Sequence, residues 1–317
     1  MVSITCFFPY WGDKCKTYAF LDFNYFCRAM NSLNLISSKD DVTLLAVEAI
    51  DPQWLHAPLR VPLYTVLFLT EGNGIWLADI GKFEFQAPVL LFATPLQQLA
   101  ITRQQPLKGF VIQFHGDFYC IEHHKAAVAC NGLLFNNIYI EPSVPLTTDH
   151  TLFFEKLCRD LIDELGAAEP DEHILRSYLQ LFLAKSSSIK TKSMESPVAA
   201  NTRDEAMEAF KELLEKNYLT LHKPADYASL LAITPNTLAK KSQRYFGKSP
   251  SLMIQERLIL EAKKRLHLTR QSIKEIAFAL NFSDEFYFSR FFKKFTEVSP
   301  QAYRDRTGIS VVADLPQ

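Results

Sequence analysis

The feature that most restricts this 317-residue chain is a repeat in its C-terminal third, two copies of a paired-helix pattern set 50 residues apart. The later copy, SIKEIAFALNFSDEFYFSRFFKKFTEVSPQAYR from Ser272 to Arg304, opens with Ser272 and Glu275 in capping-box spacing. Ile273, Ile276, Ala277 and Leu280 then recur at i, i+3, i+4 and i+7, the spacing of a short amphipathic helix. Asn281 to Ser283 break it. Asn tolerates the left-handed conformation that a tight interhelical turn demands, and Asp284 with Glu285 suits the positive end of a second helix. On that helix Tyr287, Phe288, Phe291, Phe292 and Phe295 make one stripe, and Phe286, Ser289, Arg290 and Lys293 make the opposite one. A helix-turn-helix is expected, with one face that packs and one that is free.

Taken alone, the cationic face reads as solvated surface on a structural helix. The upstream copy changes the odds. TPNTLAKKSQRYFGKSP puts Leu238 and Tyr245 at packing positions and Asn236, Ala239, Lys240 and Gln243 on the other face. Phe286 answers Asn236, Lys293 answers Gln243 and Ser299-Pro300 answers Ser249-Pro250, all at the 50-residue offset. The preceding helices match too, Ala277 with Ala228 and Leu280 with Leu231, after a one-residue change in the turn. Between the copies Ser249 can cap and Pro250 can open a helix that runs without Gly or Pro to about Leu268. Its length is roughly 27 Å at 1.5 Å per residue, the right order to hold two reading helices about one duplex turn apart, ~34 Å.

On these residues, the stretch from about Asp204 to Arg306 resembles the DNA-binding domain of AraC/XylS-type transcription regulators. The carrying motifs are FSDEFYFSRFFKK with VSPQAYR, LAITPNTLAKKSQRYFGKSP, and the connecting QERLILEAKKRL. The resemblance implies two reading helices in adjacent major grooves of double-stranded DNA. It carries over Asn236, Ala239 and Lys240 in the first and Glu285, Phe286, Ser289 and Arg290 in the second as base-facing, and Gln243 shares the first set's face. Arg290 can take two guanine acceptors, Asn236 can read adenine, and Phe286 can touch a thymine methyl. Glu285 either accepts from cytosine or orders Arg290. Lys293, Lys294 and Arg304, with Lys240, are expected at phosphates. Two departures stand out: Glu297 where the family's turn carries Gly, and Ser242 where the first reading helix carries a packing aromatic, which predicts a less rigid first copy.

Net charge is −1 over the whole chain, but residues 201–317 hold 19 Lys+Arg against 14 Asp+Glu, a net of +5, which leaves 15 against 21 in residues 1–200, a net of −6. Only the C-terminal part is built to lie against phosphate. Six cysteines at irregular spacing give no disulfide framework and no CxxC pair, so reduced thiols in a cytoplasmic protein are expected. No signal-peptide pattern opens the chain and no stretch approaches 18 apolar residues, so no membrane partner is expected.

Residues 1–41 form an extension, either an added strand or a poorly ordered tail, and Met30 is an alternative start. From Val42 to His115 the runs TLLAVEAI, LYTVLFLTEG, GIWLADI, KFEFQ, VLLFAT, QLAIT and GFVIQFH, separated by turn signals such as Glu71-Gly72-Asn73-Gly74, predict a small β-sandwich or barrel. Their order resembles the cupin-like sensing domain of many such regulators, and implies a small-molecule effector. Tyr64, Trp76, Phe92, Phe110 and Gln113 are the candidate lining residues, with core packing as the competing reading of each. A cupin enzyme needs several His ligands around a metal. Here His56 stands alone and Leu59-Arg60-Val61-Pro62 offers none, so neither a metal, a cofactor nor an enzyme is expected. Cys120, His123, His124 and Cys130 lie close together, yet their spacing fits no common zinc finger and favours ordinary packing over a metal or redox site.

Two amphipathic helices follow, Thr151 to Leu165 and Glu172 to Lys185, which complete a domain over 42–185. In the resembled family such helices carry a homodimer interface; packing onto the strands is the alternative. Residues 186–203, Ser-rich and aperiodic, read as a linker. Thr202 with Glu205 is expected to cap a helix reaching Asn217, which starts the DNA-binding domain at 204–306 and leaves 307–317 as a tail. The whole is an α+β multidomain chain: a cupin-like β-barrel with flanking helices, then an all-α domain of two helix-turn-helix motifs joined by a long helix. A transcription regulator is the expected function, with RNA polymerase as a further possible partner. Its rivals are a regulator whose first domain only dimerises and a cupin-type enzyme with a DNA-binding appendage.

Overall fold

The computed structural model describes residues 35–38, 42–50, 58–78, 81–103, 106–120, 132–194 and 204–309. His56, His123, His124, Cys130 and Thr202 lie outside them, as does the segment before Leu35. Nine strands come first: β1 (Leu35–Ser37), β2 (Thr43–Ala49), β3 (Tyr64–Glu71), β4 (Asn73–Ala78), β5 (Gly81–Gln86), β6 (Val89–Ala93), β7 (Leu99–Arg103), β8 (Lys108–Phe114) and β9 (Ser143–Pro145). The seven runs expected between Val42 and His115 are β2 to β8. They form a six-stranded sheet in the order β1-β2-β8-β3-β6-β9 and a three-stranded sheet in the order β5-β4-β7.

The period-2 alternation of the strands decides what each face buries. Leu67, Leu69, Leu91 and Val111 of the large sheet meet Trp76, Phe85 and Leu99 of the small one in a single core. Residues one position on, Val66, Phe68, Leu90, Phe92, Ile112 and Phe114, face the other way. They pack on α1 (Thr148–Leu165) and α2 (Glu172–Met194) through Phe154, Leu157, Leu161, Leu175, Leu179 and Phe182. The first domain is therefore three layers deep, small sheet, large sheet and helix pair.

Two boundaries differ from expectation. The sheet begins at β1, whose Leu35 pairs with Ala46, so the domain starts inside the supposed extension. The Ser-rich stretch after Lys185 continues α2 to Met194 instead of opening a linker. Composition misled here because two of the buried polar side chains find acceptors within the fold. The Ser186 hydroxyl donates to the Phe182 carbonyl, and the Lys190 ammonium donates to the carbonyls of Glu141 and Ser143.

The second domain is α3 (Glu205–Asn217), α4 (Pro224–Leu230), α5 (Pro235–Phe246), α6 (Pro250–Leu268), α7 (Ile273–Ala279), α8 (Glu285–Thr296) and α9 (Pro300–Thr307) around one core. Asp204 caps α3 by accepting from the Ala206 amide. Among the described residues, no helix is long and apolar enough to cross a membrane.

Candidate nucleic-acid interface

Each reading helix is built by the same local chemistry. Thr234 caps α5 by accepting from the Thr237 amide, with Pro235 in the first turn, and Asp284 caps α8 by accepting from the Tyr287 amide. The turn ahead of each holds one left-handed residue, Ala232 at φ 53° and Asn281 at φ 59°. The capping box of α7 is complete, with Ser272 accepting from the Glu275 amide and Glu275 accepting from the Ser272 amide. The Ser272 amide and hydroxyl, both donating to the Glu275 carboxylate, hold that carboxyl below its usual range. The rod α6 runs to Leu268 as the sequence predicts, with Ser249 as its cap and Pro250 in the first turn.

Both candidate faces are solvent-exposed. Asn236, Ala239, Lys240 and Gln243 on α5 and Phe286, Arg290, Lys293 and Lys294 on α8 are exposed, with Glu285 and Ser289 half-buried beside them. Phe286 is 71% exposed, which is costly for a phenyl ring that has nothing to touch. Gln243 also donates to the Gly247 carbonyl at 2.9 Å and so helps close its helix. Phe288 and Phe292 are buried and Phe291 and Phe295 half-buried, as the packing stripe requires, but Tyr287 stays 51% exposed against Phe282. Arg304 differs from the phosphate-facing group expected. Its guanidinium donates to the Leu266 and Gln271 carbonyls at 3.1 and 2.6 Å, which makes it a brace between α9 and the end of the rod.

The five residues expected to line an effector site do not meet in one cavity. Trp76 lies in the core between the sheets, whereas Phe92 faces the helix layer. Gln113 is fully buried and donates to Thr65, and Phe110 stacks on Phe68. Tyr64 alone of the five reaches the larger cavity, about 380 Å³, which lies between the two domains and is also lined by His115, Tyr139, Arg257, Lys264 and His267. Across this seam the Tyr139 hydroxyl donates to Glu215 at 2.7 Å, and Arg257 donates to the same carboxylate at 2.9 Å. Burial and Glu215 push the Tyr139 phenol far up, so it stays a donor. His115 and His267 bond the carbonyls of Thr307 and Gly308 at 3.2 and 3.0 Å. Among the described residues no cluster of His, Cys, Asp and Glu could hold a metal. Cys120 is half-buried.

The seam is hard to see in the sequence, because its partners lie on strands and helices far apart in the chain. One local sign pointed to it, the acid at position 297 where the motif prefers Gly.

Duplicated, capped helix pairs on a common core make the second domain a helix-turn-helix domain. A helix-turn-helix domain family model matches residues 227–306, and the domain is of the AraC type. The raffinose operon transcriptional regulatory protein of Pediococcus pentosaceus is 28% identical over 114 residues, 35% of this chain and 41% of that protein. The arabinose operon regulatory protein of Salmonella typhimurium is 26% identical over 139 residues, 44% and 48% respectively. The chain thus spans about half the length, or less, of the curated relatives it matches. Among solved structures, ToxT from Vibrio cholerae is 18% identical with a TM-score of 0.38, covering 83% of this chain and 97% of that one. The C-terminal domain of AraT, a response regulator from Geobacillus stearothermophilus, is 26% identical with a TM-score of 0.32, covering 33% and 88%.

Proposed function

We propose that this chain is a sequence-specific DNA-binding transcription regulator, not an enzyme, acting in the cytoplasm. The observation that carries the reading is the pair of exposed faces at a constant 50-residue offset, one on each end of a single rod. In this reading α5 and α8 enter successive major grooves. Asn236, Ala239, Lys240, Gln243, Glu285, Phe286, Ser289 and Arg290 face bases, and Lys293 and Lys294 face phosphates. The first domain takes a small-molecule effector, and the seam cavity is a better candidate for it than the packed space between the sheets. Leu152 on α1 with Ile174 and Leu181 on α2, exposed on the outer layer, suit a homodimer contact. RNA polymerase is a further partner the reading allows.

Selection of duplexes from a random-sequence pool tests it. The wild-type chain should enrich one extended motif, and Arg290→Ala should lose about 1–3 kcal/mol on that motif while relaxing one base position. Equal loss on every duplex would reduce Arg290 to a phosphate contact. Failure to enrich any motif would overturn the reading.

A further inference from the structure

Five non-glycine residues among those described adopt positive φ, and two of them, Leu96 at 56° and Glu297 at 61°, meet one arginine. Arg60 donates through Nη1 to the Leu96 carbonyl at 2.8 Å, and its Nη2 lies 3.1 Å from the Glu297 carboxylate. Leu96 belongs by sequence to the β6–β7 turn, yet its side chain is buried in the core of the helical domain. Neither a leucine nor a glutamate adopts this conformation without strain, and strain of this kind persists where surrounding contacts hold it. Here those contacts cross from one domain to the other.

Glu297 ends α8. The equivalent turn after α5 is Gly247-Lys248, and it too is held by the first domain, the Lys248 ammonium donating to the Ile138 carbonyl at 3.0 Å. The two attachments differ in exposure. Lys248, whose ammonium reaches the Ile138 carbonyl and also pairs with Glu256 of its own domain, is 19% exposed, whereas the Glu297 side chain is 61% exposed opposite an Arg60 at 10%. A half-solvated ion pair is the weaker bond of the two.

We propose that the β-domain grips both reading helices by the turn that follows each, and that Arg60–Glu297 is the releasable half of this grip. The proposal rests on the DNA-reading assignment above. Two helices pinned at both turns cannot adjust to the grooves, so the gripped pose is the restrained one, and freeing Glu297 lets α8 settle. Because the two equilibria are linked, release raises DNA affinity by no more than the factor by which it favours opening. A Gly at 297 would relieve the strain but remove the grip, which accounts for the acid at this position.

Three variants of the full chain test this, read by backbone hydrogen exchange over residues 58–63, 94–98 and 293–299 and by binding to sheared mixed-sequence duplex DNA. Glu297→Gly should speed exchange in all three segments about threefold without lowering the melting temperature. Glu297→Lys, which sets like charges together, should speed it about tenfold or more. Both should bind DNA more tightly than wild type, and Arg60→Ala, which breaks the same pair without adding positive charge to the helical domain, should do so too. Unchanged exchange in Glu297→Lys would overturn the grip, and faster exchange with unchanged affinity would overturn its link to DNA. If no chain binds duplex, the DNA-reading assignment fails, while the exchange data still decide the grip.

Discussion

The two copies of the helix-turn-helix solve one packing problem with the same parts in exchanged places. In the second copy the position facing the rod is Phe292, buried edge-on to Tyr303 with ring centroids 5.6 Å apart, and one turn later Thr296 donates its hydroxyl to the Val298 carbonyl at 2.9 Å. In the first copy the equivalent of Phe292 is Ser242, and the equivalent of Thr296 is Phe246. The Ser242 hydroxyl donates at 2.7 Å to the Lys248 carbonyl, which corresponds to Val298, while Phe246 packs towards Phe210 and Tyr139. Aromatic and hydroxyl have traded positions across one helical turn, and the same carbonyl is satisfied in both copies. The absent aromatic at 242 is thus no void: Ser242 is fully buried with its hydroxyl paired, and Phe246 turns the lost ring towards the first domain.

Truncating the two equivalent side chains should have unequal costs. Phe292→Ala should cost about 3–5 kcal/mol in denaturant unfolding, because a buried ring leaves a cavity. Ser242→Ala should cost only about 1–3 kcal/mol, the penalty of leaving the Lys248 carbonyl unpaired. If the two losses were equal, the exchange of roles would be wrong.

A smaller effect separates the two closing turns. Gly247 sits at φ 68° with nothing within 4 Å of the Cβ that a larger residue would add, so its constraint is conformational alone. Gly247→Ala should cost about 1–2 kcal/mol in thermal unfolding. A loss much above that would mean that the turn is sterically enclosed after all.

The smallest expected effect lies at the seam. Burial lowers the His115 pKa below the ordinary 6.5, against the opposing pull of Asp117. The folded state therefore resists a proton that the unfolded chain accepts, so stability is intact above about 6.5 and falls as pH drops from there towards the folded pKa. His115→Gln should flatten that decline in melting temperature between pH 7 and 5. An unchanged slope would assign the decline to other groups, His222 among them, whose pKa burial also lowers.

Much of this was legible in the sequence, for reasons that differ between the domains. Caps, turns and the rod are local signals. Ser272 with Glu275, Asn281, and Ser249-Pro250 each specify their structure within four residues, and each was found where expected. The strands were legible because alternation and turn residues are local as well. The end of α2 was not, since Lys190 finds its acceptors nearly fifty residues earlier in the chain. Four of the five expected effector residues lie away from the seam cavity for a related reason. An aromatic on an alternating strand looks the same whether it lines a cavity or fills a core, and only the pairing of sheets decides.

In the proposed function one polypeptide reads two successive major grooves with equivalent helices. Contact probing by base modification on a duplex selected by the wild-type chain, repeated with Lys240→Ala and with Arg290→Ala, addresses it most directly. Two blocks of major-groove contact about 10 base pairs apart are predicted for each bound chain, with each substitution thinning a different block. A single block, or loss of the same contacts in both variants, would mean that the two helices do not read separate grooves.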